Sequence, residues 1–311
     1  MIIFNRIFKY LFMCRKNSLP YSKLDLNNKK ILALKNKIIP PELFKYTKVR
    51  YAKDLLYDEI IYLPELSELN DPFEGTLLCD EEKIEKFYEE NKIDKFMDYI
   101  LEELNDETID VNQFEKIGKL LLRLQSHEEI DNIRNAIIDG IYVICLSGRK
   151  DINSLWAHYA DNHKGICIEY DLINTKTELF KNLCFPIEYI DEFDSTYDVK
   201  SLFETNSMDL NIKLKPLLIK AGDWGYEEEW RIIFDDSIIS DYNVDFEPYE
   251  PYVKFLRPQA VYMGIAISNK DEKTIKNICK LKKIPLFKAV KSKEKYKFDF
   301  KEVILDVDEE E

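Results

Sequence analysis

The sequence predicts an α+β protein with a mixed or antiparallel β-sheet at its core and a mostly helical insertion. Three observations support this prediction. Short β-branched and aromatic runs follow one another with helical segments in an irregular order, and a long stretch at about residues 81–135 has helical periodicity alone. In addition, 45% of the 311 residues are hydrophobic, which is enough apolar material for a large core and excludes global disorder.

The N-terminal 40 residues are predicted to form a separate helical or extended segment. The opening MIIFNRIFKYLFM is apolar, but Asn5, Arg6 and Lys9 interrupt it, and no small-residue cleavage site follows. A membrane-spanning helix needs about 20 consecutive apolar residues. We therefore expect an amphipathic helix here, with neither a signal peptide nor a membrane span.

Residues 41–311 are predicted to form one α+β domain that carries the insertion. LFKYT is a short apolar run after Pro40 and Pro41, residues 50–60 look helical, and IIYLPELSELNDPFEG indicates a strand followed by a turn-rich loop. In the insertion, EKIEKFYEENKIDKFMDYILEEL and FEKIGKLLLRLQSHEEIDNIRNAI have apolar residues three and four apart, as in amphipathic helices. The acidic outer face of these helices is a solvated surface or a site for a protein partner.

The second half of the domain alternates strands and helices. GIYVICLSG and GICIEYD read as buried strands on either side of a short helix in DINSLWAHYADNHKG. Asn153 or Ser154 is the expected N-cap of that helix, and Gly165 closes the turn after it. EEWRIIFDD, AVYMGIAIS and KEVILDV are further strands, with a helix in KDEKTIKNICKLKK between the last two.

Charge and motifs exclude several classes of protein. The net charge of −14 and the pI near 4.9 disfavour general nucleic-acid binding, although a small anionic ligand needs only two or three cations in a pocket. The six cysteines have neither CxxC nor zinc-site spacing, which suits a reducing cytoplasm. No GxGxxG, GxxxxGK[ST], GxSxG or HExxH motif occurs, and we expect no metal.

Three clusters could carry chemistry. In LNDPFEG, Asn70 and Asp71 either cap their own turn or contact a ligand. Ser147 ends a predicted strand, and the following helix presents Trp156 and Tyr159. Trp156 is more readily explained as core, whereas Tyr159 could equally be core or stack on a planar ring beside Ser147.

The third cluster is WGYEEEWRIIF. If a strand has begun by Glu227, then Glu227, Glu229 and Arg231 share one face. Two carboxylates next to a guanidinium could anchor ribose hydroxyls, or they could form a structural ion-pair ladder. A shift of one residue in register would instead turn Glu228 towards that face.

These segments together resemble the bacterial family of unknown function DUF2971. The resemblance rests on LNDPFEG, CLSGRKDINSLWAHYADNHKGICIEYD and the WGYEEEWRIIF run, with LFKYT and AVYMGIAIS, and spans roughly residues 41–290. The order of strands is also similar to the ADP-ribosyltransferase fold, with LFKYT as its first strand and EWRIIFDD as its late strand.

The second resemblance implies an enzyme that consumes NAD⁺ as a substrate. It implies Glu229 as the catalytic carboxylate, Glu227 as the outer Glu of an ExE pair, Tyr159 stacked on nicotinamide and Ser147 orienting that ring. The expected contacts with NAD⁺ are Lys45, Tyr46, Asn70, Asp71, Arg149 and Trp156. The acceptor would be a macromolecule or water, as in a toxin or a phage-defence effector. Glu229→Gln is then expected to abolish activity and leave the fold intact.

Two other functions fit the same residues. A nucleotide or nucleic-acid phosphodiesterase could hold a divalent metal with Asp71, Glu74, Glu227 and Glu229. A non-catalytic sensor or scaffold is the other alternative. In that case Glu227 and Glu229 would pair with Arg231 and be closed to solvent, whereas an open cleft lined by Tyr46, Ser147, Tyr159 and Glu229 would argue for an enzyme.

Overall fold

The architecture is taken from a computed structural model of the chain. The structure describes residues 39–75, 139–174, 178–191, 216–235, 246–247 and 250–305, and separate positions between 82 and 138. The predicted N-terminal helix lies outside the described residues.

The chain divides into two compact units. One contains Met1–Leu24, Glu74–Asp139 and Glu192–Leu217, and the other contains the rest of the chain. In the first unit, every described position between 82 and 138 is helical, as the periodicity of the insertion predicts. Across the described residues, no helix combines the length and apolarity needed to cross a membrane.

The second unit contains the strands and the remaining helices. Its strands are β1 Leu43–Thr47, β2 Ile60–Tyr62, β3 Ile141–Ser147, β4 Ile166–Tyr170, β5 Cys184–Pro186, β6 Glu188–Ile190, β7 Ile219–Ala221, β8 Glu229–Asp235, β9 Phe246–Glu247, β10 Glu250–Lys254, β11 Ala260–Met263, β12 Leu286–Lys291 and β13 Phe298–Glu302. Its α-helices are α1 Asn153–His158, α2 Glu178–Leu183 and α3 Asn269–Lys282. Short 3₁₀ or π turns lie at Val49–Tyr51, Lys53–Asp58, Leu66–Glu68 and Gly222–Glu227.

Eight of these strands form the main sheet, in the order β13-β12-β11-β4-β1-β3-β8-β5. Every neighbouring pair is antiparallel except β11 and β12, which are parallel and are separated in the chain by α3. Two smaller sheets have the orders β2-β10-β9 and β6-β7. The predicted α+β class with a mixed, mostly antiparallel sheet is therefore confirmed.

The core of the second unit is centred on Trp156 of α1. Its side chain is fully buried, its indole Nε1 donates to the Lys150 carbonyl oxygen at 2.8 Å, and its ring meets that of Tyr46 edge-on at 5.3 Å. Phe44 and Tyr46 belong to the same buried cluster because alternate residues of β1 share a face. Trp156 is thus a core residue with a satisfied indole nitrogen.

Gly165 ends the turn after α1, as predicted, because the backbone there is too crowded for a side chain. A Cβ atom on Gly165 would lie 2.2 Å from the carbonyl oxygen of Thr47. Asp161, Asn162 and His163 just before it all have positive φ, so three residues other than glycine make the reversal of the chain. This turn brings β4 directly alongside β1.

Several boundaries differ from the sequence prediction, among them the end of β11, which stops at Met263 and does not run through AVYMGIAIS. Helix α1 begins at Asn153, so its N-cap is Ile152, which makes no side-chain capping bond. The last strand ends at Glu302 instead of running through KEVILDV, and the preceding β12 was not predicted. In β13 the aromatic rings of Phe298 and Phe300 both pack against Trp156, and this packing outweighs the β propensity of the later Val and Ile residues.

Candidate functional site

The strand that carries the candidate carboxylates begins two residues later than the period-two pattern assumed. Glu227 ends a 3₁₀ turn, Glu228 adopts a left-handed backbone with φ 44°, and β8 starts at Glu229. The condition that the strand has begun by Glu227 is therefore not met. Because of this bend, Glu227 and Glu229 are both buried, whereas Glu228 is exposed and bonds to Arg149 at 3.1 Å.

Four charged side chains, Lys220, Glu227, Glu229 and Arg231, form what we call the buried charge cluster. Each is at most 6% exposed. Lys220 Nζ donates to Glu227 Oε2 at 2.7 Å and to Glu229 Oε2 at 3.1 Å. Arg231 Nε donates to Glu229 Oε1 at 2.8 Å, and its Nη2 donates to Glu229 Oε2 at 3.2 Å. Two anions thus face two cations, which offsets the cost of removing all four from water.

The cluster holds Glu229 in its charged form. Burial on its own would raise the pKa of this carboxyl, but the charge and hydrogen bonds of Arg231, together with Lys220, outweigh burial and lower the pKa to about 2. The Cys145 thiol also bonds to Glu229, and burial followed by this negative charge raises the thiol pKa. Glu229 is therefore an ionised, fully engaged carboxylate.

This depressed pKa predicts a loss of stability in acid. The ionised Glu229 stabilises the fold fully above its ordinary pKa of 4.5, and the contribution declines as the pH falls from there towards 2. We expect about 2 kcal/mol of this contribution to be lost by pH 3. Urea unfolding of wild type and Glu229→Gln from pH 7 to pH 3 measures it, because the stability gap between them should narrow by that amount. A stability difference that stays constant from pH 7 to pH 3 would contradict the lowered pKa of Glu229.

Tyr159 connects the cluster to the surface. Its hydroxyl donates to Glu227 Oε1 at 2.8 Å and accepts from Asn70 Nδ2 at 3.3 Å. Burial and then the negative charge of Glu227 raise the pKa of this hydroxyl. Ser147 bonds to the same bend, since its Oγ donates to the Glu227 carbonyl oxygen at 2.6 Å and accepts from the Arg149 N–H at 3.1 Å. Ser147 therefore shapes the bend, and Tyr159 links Glu227 to the cleft described next.

A cleft of about 450 Å³, the tyrosine-lined cleft, opens beside Tyr159. Five tyrosines, three cations and one carboxylate are among its lining residues. These are Tyr46, Tyr51, Tyr62, Tyr159, Tyr252, Lys45, Lys48, Arg50 and Asp54. The cleft is thus locally basic in a chain whose net charge is −14. Lys45 Nζ donates to the Cys145 carbonyl oxygen at 3.1 Å, and Arg50 Nη2 donates to the Tyr51 hydroxyl at 2.7 Å.

A second, larger cleft of about 760 Å³, the phenylalanine-lined cleft, shares no lining residue with the first. Phe44, Phe287, Phe298, Phe300 and Tyr262 supply its aromatic walls. Arg149 also lines it, but the Arg149 guanidinium bonds to both oxygens of Asp151, with Nε to Oδ1 at 2.9 Å and Nη2 to Oδ2 at 3.1 Å.

The structure therefore divides the predicted site residues among several places. Lys45, Tyr46 and Tyr159 line the tyrosine-lined cleft, and Arg149 lines the other cleft. Those that line neither of these two clefts are Ser147, Trp156, Glu227, Glu229, Asn70 and Asp71. Asp71 is buried, and its Oδ1 accepts from the Phe73 N–H at 2.9 Å, which is the turn-capping role considered in the sequence analysis.

Sequence reasoning missed Lys220 and most of the cleft tyrosines. Lys220 lies in β7, seven residues before Glu227, and its Nζ also lies 4.7 Å from the centre of the Trp224 ring. No local pattern marks such a lysine as buried. The run Lys48-Val49-Arg50-Tyr51 directly after β1 was a detectable signal, because it places two cations and an aromatic ring on a connecting segment, where binding residues are disproportionately found.

Three of the four carboxylates proposed for a metal-dependent phosphodiesterase are engaged in other contacts. Glu227 and Glu229 both bond to Lys220, and Asp71 caps its own turn. Within the part of the chain that the structure describes, no group of three or more His, Cys, Asp or Glu residues could hold a metal ion.

Comparison with known protein families gives one match. A family model described as protein of unknown function (DUF2971) matches residues 155–232. The predicted DUF2971 resemblance is confirmed there. The DUF2971 segment is roughly a quarter of the chain and leaves out LFKYT, LNDPFEG and AVYMGIAIS. No curated protein and no solved structure matched the chain.

The DUF2971 segment includes the whole buried charge cluster and Tyr159, from α1 to the first half of β8. The cations of the tyrosine-lined cleft, Lys45, Lys48 and Arg50, lie outside it. The cleft is thus built from Tyr159 of the DUF2971 segment, from residues 45–64 that precede the segment and from Tyr252 that follows it.

Proposed function

We propose that this protein binds NAD⁺ in the tyrosine-lined cleft and cleaves it, as an ADP-ribosyltransferase-like enzyme. The observation that carries the proposal is the meeting of a basic, aromatic cleft with a buried carboxylate through the hydrogen bond between Tyr159 and Glu227.

The lining of the cleft supports a dinucleotide ligand. Its volume of about 450 Å³ lies in the range of small-molecule sites, which is about 300–1,000 Å³. Lys48 and Arg50 are exposed at its rim, where two cations can neutralise a pyrophosphate. Tyr51 and Tyr62 have exposed fractions of 41% and 37%, so their rings are accessible to an adenine or nicotinamide ring.

The position of Glu227 changes which carboxylate serves the reaction in this proposal. Both oxygens of Glu229 bond to Arg231, and one of them also bonds to Lys220. Glu227, in contrast, contacts a residue of the cleft wall, because its Oε1 accepts from the Tyr159 hydroxyl. We therefore assign to Glu227 the negative charge that acts on the reaction through the Tyr159 hydroxyl, and a positioning role to Glu229.

The proposed reaction needs a negative charge at the end of the cleft where Tyr159 lies. The bond between ribose C1′ and the nicotinamide nitrogen breaks, and its electron pair leaves with nicotinamide. A nucleophile, either water or an acceptor side chain, then bonds to C1′ and releases a proton. A fixed carboxylate stabilises the ribosyl cation that develops after nicotinamide leaves and before the nucleophile bonds.

One observation favours a second candidate, a module that binds the same ligand without turnover. The two carboxylates of the buried charge cluster are already compensated by Lys220 and Arg231 and are nearly closed to solvent. This is the arrangement expected of a sensor or scaffold. The two candidates share the cleft and differ in whether nicotinamide is released.

The test is calorimetric titration of the full chain with NAD⁺, with nicotinamide release followed by chromatography. We expect Lys48→Ala/Arg50→Ala to weaken binding by about tenfold or more, because it removes both rim cations. The matched control is Lys293→Ala/Lys295→Ala, which changes the net charge equally at exposed positions outside both clefts.

Each outcome decides between the candidates. Binding with nicotinamide release supports the enzyme, and binding without release supports the sensor and overturns the enzyme. The absence of binding overturns both, as would an equal loss of affinity in the rim and control variants.

A further inference from the structure

We propose that the phenylalanine-lined cleft is a second binding site, for a small organic cation with an alkylated ammonium group. The proposal rests on the walls of this cleft and not on the function proposed for the tyrosine-lined cleft.

The walls present aromatic rings at several angles. The rings of Tyr262 and Phe287 are stacked with their centres 5.1 Å apart, and Phe300 meets Tyr262 edge-on at 5.0 Å. Phe44 meets Tyr262 edge-on at 6.3 Å. Differently oriented faces around one space are the arrangement that recognises a quaternary ammonium group, because each ring face is electron-rich.

The chain already places one ammonium group against these rings. Lys150 Nζ lies 4.7 Å from the centre of the Tyr262 ring and 5.1 Å from that of Phe44. It donates to the Tyr262 hydroxyl at 3.0 Å and lies 3.6 Å from Glu169 Oε2. The cleft, at about 760 Å³, is far larger than one ammonium group, so a ligand cation can lie beside Lys150 or replace it.

The charges at the rim select a cation over an anion. Arg149 pairs with Glu228 and shares Asp151 with Lys297, and Lys150 is paired with Glu169, so these three cations face three carboxylates. Glu42 and Asp299 also line the cleft, and both are exposed. Among the described residues, neither of these two carboxylates has a cation within ion-pair distance. The uncompensated charge of the cleft is therefore negative.

The probe is choline, and its neutral isostere 3,3-dimethylbutan-1-ol is the control ligand of the same shape. Calorimetry gives the two affinities, and saturation transfer from aromatic protons to the choline methyl groups reports contact with the rings. We expect choline to bind about fivefold or more tightly than the isostere, since the ring faces attract its positive charge and the neutral isostere has none.

Two variants give opposite expectations. Asp299→Asn should weaken choline binding by about threefold, whereas Glu294→Gln, an exposed carboxylate outside the cleft, should leave it unchanged. Lys150→Met should strengthen choline binding by about threefold, because it frees two ring faces and Glu169. Circular dichroism of each variant checks that the fold is retained.

Three results would overturn the proposal. Equal affinities for choline and its isostere would show an apolar cleft without selectivity for charge. Loss of choline binding in Lys150→Met would show that Lys150 supports the site and does not compete with the ligand cation for the rings. The absence of heat and of saturation transfer up to about 20 mM choline would exclude a specific site.

Discussion

Replacing Glu229 by glutamine is expected to lower the free energy of unfolding by about 3–5 kcal/mol. The substitution removes a charge that Lys220 and Arg231 both face, and Arg231 is fully buried. A buried cation that loses its carboxylate bears its desolvation cost without compensation. Urea unfolding at pH 7 measures the change. Because Glu229 is buried among these charges, the sequence-based expectation that Glu229→Gln leaves the fold intact is revised.

The neighbouring residue provides the control. Glu228 is exposed and pairs with Arg149 at the surface, so Glu228→Gln should cost no more than about 1 kcal/mol. The double variant Glu229→Gln/Arg231→Met removes a cation together with the anion and should recover part of the loss. If Glu229→Gln costs as little as Glu228→Gln, the buried charge cluster is not the structural element described above.

Tyr159→Phe is expected to reduce nicotinamide release by about 100-fold or more, under the proposal that the enzyme cleaves NAD⁺. The phenyl ring keeps the shape of the cleft wall, but the hydroxyl that holds Glu227 Oε1 is lost. NAD⁺ binding should weaken far less than turnover, because the ring and the rim cations remain. Initial rates at saturating NAD⁺, together with calorimetric affinities, separate the two effects.

Tyr51→Phe is the matched control for this experiment. Tyr51 lines the same cleft and is exposed, and its hydroxyl bonds to Arg50 instead of a buried carboxylate. We expect its rate to stay within about threefold of wild type. A Tyr159→Phe rate similar to that of Tyr51→Phe would contradict the assignment of Glu227 to the reaction.

Most of the main sheet could be predicted because its strands have strong local patterns. GIYVICLSG and GICIEYD are dense in β-branched residues, and both became central strands, with every residue of β3 and β4 buried or half-buried. Strand β12, with the sequence LFKAVK, was missed because it alternates weakly and half of its residues are only partly buried. The C-terminal strand was placed too late, since its position depends on the packing of Phe298 and Phe300 against Trp156.

The site was predicted less completely, because its key contacts join residues that are distant in sequence. Tyr159 was a candidate from its place on a short helix after a strand, and its partner Glu227 lies 68 positions away. Lys220 had no signal at all, since a lysine in a short strand is ordinarily exposed. The cations of the cleft follow β1, and Tyr252 reaches the same cleft through the pairing of β10 with β2.

The sequence by itself determined the α+β class, the helical character of the insertion and the strands β3, β4, β8 and β11. It also indicated the resemblance to DUF2971 over roughly residues 41–290, of which residues 155–232 are confirmed. These properties depend on periodicity and composition within a few consecutive residues. The tertiary structure decided which of Glu227, Glu228 and Glu229 is buried, because the left-handed backbone at Glu228 breaks the alternation that the pattern assumed. It also decided that Lys220 and Arg231 neutralise the two buried carboxylates, since ion pairing in a core depends on distances between side chains and not on their spacing in sequence.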